Sequence, residues 1–173
     1  MSERRKYVLF AALALVSAAL DQASKVWVRE HLPSFGRGGM SVMGRRLVLV
    51  YAENPGIAFS QLQEIHGGRI LLSLVSLLAL VMIGRFVHKT PASRPWTIAA
   101  LGLICGGALG NLIDRVARGS VTDFVLADLG VWPFHPWPVF NVADAALVVG
   151  VAILALALMR AKGPHHPAAP AGH

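Results

Sequence analysis

Hydrophobic positions along this chain collect in four long runs, Tyr7–Val28, Ile70–Val87, Trp96–Ile113 and Val139–Met159. Each is close to the ~20 residues that carry a helix across a ~30 Å hydrocarbon layer. The pattern predicts an all-α membrane protein with four transmembrane helices. A different pattern separates the first two runs. Arg45-Arg46-Leu47-Val48-Leu49-Val50-Tyr51 is aliphatic and β-branched enough for a strand. Asn54-Pro55-Gly56 is turn chemistry, because Pro fixes φ and Gly tolerates positive φ. A small juxtamembrane β-sheet on the outer surface, with a turn dipping toward the helices, is expected within residues 29–69. In residues 116–138, Val121, Phe124, Val125 and Leu126 alternate with polar residues only loosely. Trp132, Phe134, His135 and Trp137 read as an interfacial aromatic belt. The second run holds no acid, amide or basic residue before Arg85 and reads as a lipid-facing structural helix.

Composition agrees with this picture. Of 173 residues, 55% are hydrophobic and 14% charged, and mean hydropathy is +0.58, a balance typical of integral membrane proteins rather than soluble domains. The runs leave no room for a separate soluble core. One transmembrane domain over residues 1–162 is expected, followed by a Pro/Ala/His-rich tail, Gly163–His173, that reads as disordered. The formal net charge of +7 does not point to nucleic acid, because the basic residues flank the runs rather than sharing a face. Arg4, Arg5 and Lys6 precede the first, Arg85, Lys89 and Arg94 lie at or between the ends of the second and third, and Arg160 and Lys162 follow the fourth. The positive-inside pattern puts both termini in the cytoplasm. The outer segments mix their own Lys and Arg with Glu30, Glu53, Glu64 and Asp128. A cleaved leader would also have a basic start and small residues such as Val16-Ser17-Ala18. The helical pattern running on to Val28 favours a retained span. Cys105 stands alone inside the third run, so an intrachain disulfide is excluded and packing is its expected role. His165 and His166 lack companion ligands, and no metal or cofactor is expected.

Against this apolar background the polar residues are conspicuous. Asp21 and Lys25 share a helix face, where they can neutralise each other or snorkel to the boundary. Gly102, Gly106 and Gly110 form a tandem GxxxG face that permits close helix approach. Asn111, Asp114 and Arg115 follow on one face, and a surface Asp114–Arg115 pair closing the helix is the plain alternative to a functional role. Asp123 lies beyond the third run. Asn141 and Asp144 share a face at the start of the fourth. With the N-terminus inside, all of these, and Asn54, fall at one membrane depth. Snorkelling explains helix ends, but not an aspartate one turn inside an apolar helix. Two carboxylates brought together cannot both ionise cheaply, so one keeps a proton. The ionised member can take a proton from water as the water attacks an amide carbonyl. The protonated member can polarise that carbonyl or protonate the leaving amine.

These residues match a known pattern. The chain resembles the lipoprotein signal peptidase family, also called signal peptidase II. Asp21-x-x-x-Lys25 is similar to the first family motif, and Asn54-Pro55-Gly56-Ile57-Ala58-Phe59-Ser60 to the second. Gly106-Gly107-Ala108-Leu109-Gly110-Asn111-Leu112-Ile113-Asp114-Arg115, continuing to Gly119-Ser120-Val121-Thr122-Asp123-Phe124, is the most specific segment, and Phe140-Asn141-Val142-Ala143-Asp144 completes the set. The resemblance implies an aspartic endopeptidase of the bacterial inner membrane. Such an enzyme removes the signal peptide from a diacylglyceryl-modified prolipoprotein, cutting before the lipidated lipobox cysteine. It implies Asp123 and Asp144 as the catalytic dyad near the periplasmic face. Asn54, Gly56, Asn111, Arg115 and Asn141 would position substrate or dyad, Asp21 and Lys25 would support the outer end of the first helix, and Asp114 would support the site. It further implies globomycin as an inhibitory ligand. Membrane lipid is an expected partner of such a chain, and a four-span monomer would suffice. Pro55 replaces a frequent Thr, and Ile57 is bulkier than a frequent Ala; both touch turn shape. Outside this family, the residues would also allow a proton-coupled carrier using Asp21, Asp114 and Asp144 as relays, or a structural subunit held by the glycine face. A carrier would usually show internal repeats or broken helices, and neither is evident.

Overall fold

The computed structural model describes residues 1–56, 68–131 and 137–161. The tail at 163–173, the belt residues Trp132, Phe134 and His135, and Ile57 to Ser60 of the second motif lie outside them. In chain order the elements are α1 (Glu3–His31), a 3-10 turn (Leu32–Gly38), β1 (Met40–Ser41), β2 (Leu47–Asn54), α2 (Gly68–Lys89), α3 (Pro95–Arg118), β3 (Val121–Ala127) and α4 (Val142–Ala161). Among the described residues, four helices are long and apolar enough to cross a membrane. They coincide with the four hydrophobic runs, with differences at the ends. Backbone hydrogen bonding carries α1 and α3 past the apolar stretch into polar residues. The fourth run begins earlier than its helix, because Phe140 is held in a single antiparallel bridge to Val125 of β3. The Val125 N–H donates to the Phe140 carbonyl at 2.8 Å, and the Phe140 N–H donates back at 3.1 Å.

Helix α3 packs against each of the other three helices. Its glycines explain how. A Cβ at Gly102 would lie 2.9 Å from the Phe10 carbonyl, and one at Gly106 would lie 2.6 Å from both the Ala14 carbonyl and Ser17 Cβ. One glycine after another meets the next turn of α1, so the two helices run parallel with their backbones nearly touching. Gly107, on another face, meets Ala143 and Leu147 of α4. In hydrocarbon the association of helices rests on such close packing, because lipid tails are as apolar as leucine. The matching stripe on α1 is Ala14, Ala18, Asp21, Lys25 and Val28, all buried. Two charged residues therefore lie on the packing face. The other expectation for α2 also holds: most of its side chains are exposed to the surroundings, while Ile83 and Val87 pack on Leu101. Cys105 is free and packs beside that cluster.

The strands form one antiparallel sheet in the order β1-β2-β3. It sits at the end of the bundle where α1 and α3 finish and α4 begins, with Phe124, Val28 and Leu32 forming a small core beneath it. The strand expected at 45–51 is β2. The loose alternation of 116–138 concealed β3. Its first residues, Val121 to Phe124, are all buried, inward and outward positions alike, and a strand covered on both faces shows no two-residue periodicity. Gly119 ends α3 in the left-handed conformation, φ 89°, and turns the chain directly into β3.

The glycine contacts set a stability test. Gly106→Leu should lower thermal stability in detergent by about 1–3 kcal/mol, as overpacking does in a close-packed interior. Gly84→Ala, in α2 with nothing within 4 Å of its new Cβ, should not lower the melting temperature and should raise it slightly through helix propensity. Equal melting temperatures for wild type and Gly106→Leu would show that the α1–α3 approach is not tight.

Candidate active site

The site is built from the ends of three helices and two strands. Its foundation is Lys25, on the buried stripe of α1. The ammonium lies 2.8 Å from Asp21 and 3.2 Å from Asp114, with all three side chains withdrawn from solvent. The snorkelling alternative for Asp21 and Lys25 thus does not hold, and neither does a surface Asp114–Arg115 pair. Lys25 lies on the face that packs against α3, so it meets Asp114 instead. The other bonds of these carboxylates tie in further segments. Asp21 accepts from the Ala143 N–H of α4 at 2.9 Å, and Asp114 accepts from the Thr122 N–H of β3 at 3.0 Å. Arg29, a further turn along α1, approaches Asp114 at 3.6 Å and donates to Thr122 Oγ1 at 3.1 Å.

Lys25 has a third acceptor, Asn111 Oδ1, at 2.9 Å. An ammonium can only donate, so it fixes which end of the Asn111 amide faces it. The Nδ2 end must point away, and it donates to Asp144 Oδ1 at 2.8 Å. The same logic holds at Asn141, which immediately precedes α4. Its Oδ1 accepts from the Asp144 N–H at 2.9 Å, and its own N–H donates to Asp144 Oδ2 at 3.2 Å. This reciprocal pair is a capping box with aspartate in the third position. It explains why an aspartate is tolerated one turn into an apolar helix: it closes the helix start and faces the positive end of the helix dipole. With Oδ1 so engaged, Asn141 Nδ2 donates to Asp123 Oδ1 at 2.6 Å and to Asn111 Oδ1 at 3.1 Å. Asn54 repeats the device. Its Oδ1 accepts from the Gly56 N–H at 2.8 Å, and its Nδ2 donates to Asp123 Oδ2 at 2.9 Å. The turn requires Gly56, whose φ is +98°. Three amides, each held from behind by a donor, thus present N–H groups to two carboxylates.

Asn141 touches both aspartates, one through its amide and one through its backbone, and joins them into a single site. Asp123 is buried at 3% exposure, whereas Asp144 is half-buried. Burial pushes the Asp123 carboxyl above its usual range of 3.8, and the neighbouring Asp144 charge adds to the shift, against the hydrogen bonds from Asn54 and Asn141. Arg115, half-buried, stands within electrostatic reach of Asp144, Asp123 and Asp114. Among the described residues no cluster of three or more His, Cys, Asp or Glu could hold a metal ion.

All ten site residues expected from the sequence lie at this end of the bundle. Asp21, Lys25 and Asp114 form the buried ion cluster; Asn54, Gly56, Asn111 and Asn141 surround the carboxylates. Sequence reasoning gave no role to Arg29, Thr122 or Gln22. Arg29 continues the i, i+4 spacing of Asp21 and Lys25 and could have been found on that ground. Thr122 takes part chiefly through its backbone, which no sequence pattern marks. Gln22 donates to Asp21 and to the Gly110 carbonyl.

Comparison with known proteins agrees with the geometry. A family model described as signal peptidase (SPase) II matches residues 13–160. A lipoprotein signal peptidase of Geobacter sulfurreducens is 40% identical over 154 residues, 89% of this chain and 93% of the relative. Its counterpart from Methylorubrum extorquens is 44% identical over 151 residues, 84% of this chain and 82% of the relative. A solved structure described as a bacterial membrane enzyme superposes with a TM-score of 0.77 at 26% identity, covering 90% of this chain and 94% of that one. With its four spans, its sheet and its paired aspartates, this multi-pass membrane chain belongs to the signal peptidase II family of aspartic peptidases.

Proposed function

We propose that the chain removes signal peptides from diacylglyceryl-modified prolipoproteins, cutting before the lipidated lipobox cysteine with Asp123 and Asp144 as the catalytic dyad. The observation that carries this reading is the Asn141 bridge, which joins two carboxylates at the boundary end of an apolar bundle. The proton shared by the pair rests on Asp123, the more deeply buried member. Asp144 takes a proton from water as the water oxygen attacks the scissile carbonyl carbon, and Asp123 gives its proton to the carbonyl oxygen. When the C–N bond breaks, the proton held by Asp144 passes to the leaving amine, and Asp123 recovers its own from the collapsing diol. One water is consumed, and no covalent intermediate forms. Asn54, Asn111 and Asn141 hold the carboxylates, while Arg115 balances the negative charge of the pair. The scissile bond lies where the helices end, so the acyl chains of the substrate stay in the membrane. The positive-inside pattern supports an orientation with this end at the periplasmic face and both termini in the cytoplasm, the membrane being the bacterial inner membrane. Globomycin is the expected inhibitory ligand, and a monomer suffices.

Purified protein should cleave a diacylglyceryl-modified prolipoprotein in detergent, read by gel shift. Asp123→Asn and Asp144→Asn should each lower the rate at least about 10²–10⁴-fold, the usual contribution of acid–base catalysis, with melting unchanged. Full cleavage by folded mutants would make the aspartates structural; an inert wild type would favour a carrier or scaffold.

The proton assignment has a pH signature. Asp123 already titrates above the ordinary value, and the Asn54 amide restrains that rise by favouring the carboxylate. In Asn54→Ala that restraint is lost, Asp123 keeps its proton to higher pH, and the alkaline limb of kcat/KM should move upward while the maximum falls. A limb that stays or moves down would exclude Asp123 as the acid.

Lys25→Met should cost about 3–5 kcal/mol of stability, because it leaves Asp21 and Asp114 buried without their cation. A melting temperature equal to wild type would contradict the role of the ion cluster.

A further inference from the structure

At the end of the bundle opposite the aspartates, the start of α3 and the end of α4 enclose a groove of about 400 Å³. Arg94 and Thr97 from the start of α3 and Arg160 from the end of α4 line it, and Ile153 and Leu156 of α4 give it an apolar wall. Both arginines are exposed, and neither has an ion-pair partner among the described residues. Glu3 is the one acidic residue at this end among the described residues, and Lys6 already holds it at 3.1 Å. Among the described residues, the groove therefore joins unpaired positive charge to an apolar wall. Trp96, 66% exposed at the same level, has the amphipathic ring that favours the headgroup layer.

We propose that this groove binds one anionic phospholipid. The phosphate lies between Arg94 and Arg160, whose planar guanidinium groups suit phosphate oxygens in paired hydrogen bonds. The Thr97 hydroxyl adds a donor, and one acyl chain follows Ile153 and Leu156. Length and charge both favour a lipid over a soluble phosphate. The apolar wall would remain uncovered by a free anion, and basic pockets between spans on the cytoplasmic side are suited to anionic headgroups. The groove is remote from the dyad. Helix α3 has 24 residues, about 36 Å at a rise of 1.5 Å per residue, and the dyad lies at its other end. This lipid is thus distinct from any acyl chains of a substrate, and the proposal stands whether or not the chain cleaves prolipoproteins.

The test uses the full chain purified in detergent and offered equal amounts of phosphatidylglycerol and phosphatidylcholine, with retained lipid counted by native mass spectrometry. One phosphatidylglycerol per chain should be retained in preference to phosphatidylcholine. The double variant Arg94→Gln/Arg160→Gln should lose that preference about tenfold or more, as expected for losing charge-assisted bonds to phosphate. Arg85→Gln, which removes a basic residue of α2 outside the groove, should retain it. Melting temperatures and prolipoprotein cleavage of both variants should match wild type, which checks the fold. Three results would overturn the proposal: equal retention of the two lipids, equal loss in Arg85→Gln and the double variant, or displacement of the lipid by millimolar inorganic phosphate. The second would mean general charge attraction, and the third a soluble-anion site.

Discussion

The buried ammonium of Lys25 is the constraint on which the rest of the structure depends. A single cation in a low-dielectric interior is costly, and so is each carboxylate that faces it. The cost is met only where the partners meet at hydrogen-bond distance. Asp21 and Asp114 outnumber Lys25, and Arg29 brings the cluster back to neutrality from a greater distance. Each partner also holds a piece of the fold: Asp21 the start of α4, Asp114 the start of β3, and Lys25 itself the Asn111 amide. The charge cluster thereby sets the relative placement of α1, α3, β3 and α4, the elements that carry the two aspartates.

From that anchor the polar order runs in one direction. Lys25 turns Asn111 toward Asp144, the capping box turns Asn141 toward Asp123, and the Gly56 amide turns Asn54 toward Asp123. A free asparagine could present either end of its amide. These three cannot, because each oxygen is already occupied by a group that only donates. Preorganised donors of this kind need no rearrangement when charge develops, which is where a water-excluded site gains most. The arrangement also draws on ordinary folding devices. A helix cap, an Asx turn and a strand register each serve local structure first, and together they deliver the donors.

The glycines of α3 make this possible at short range. Lys25 reaches Asn111 and Asp114 because Gly102, Gly106 and Gly110 let α1 approach as a nearly bare backbone. With larger residues there, the helices would separate and the ammonium would lose its partners. Packing and electrostatics are therefore not independent here. In a bundle with little hydrophobic force between its helices, small residues bring the backbones together and the buried charges fix the register.

Much of this was legible from the sequence, for a physical reason. In hydrocarbon a polar side chain is expensive wherever it stands, so Asp21, Lys25, Asn111, Asp114, Asn141 and Asp144 stood out one by one against apolar runs. The same cost marked the four spans and, through the ordered motifs, the family. What the sequence left hidden is what depends on pairs. The first half of strand β3 is buried on both faces and has no alternation to read, and Phe140 bridges to Val125 although it stands in an apolar run. That Lys25 belongs to α3 as well as to Asp21, that Asn141 is both helix cap and bridge, and that Arg29 and the Thr122 backbone support Asp114 were decided only by the registers of α1 on α3 and β2 on β3. Hydrophobicity is a property of single residues and survives in the linear chain. Hydrogen-bond partnership is a property of distances between segments, and it exists only once those segments have packed.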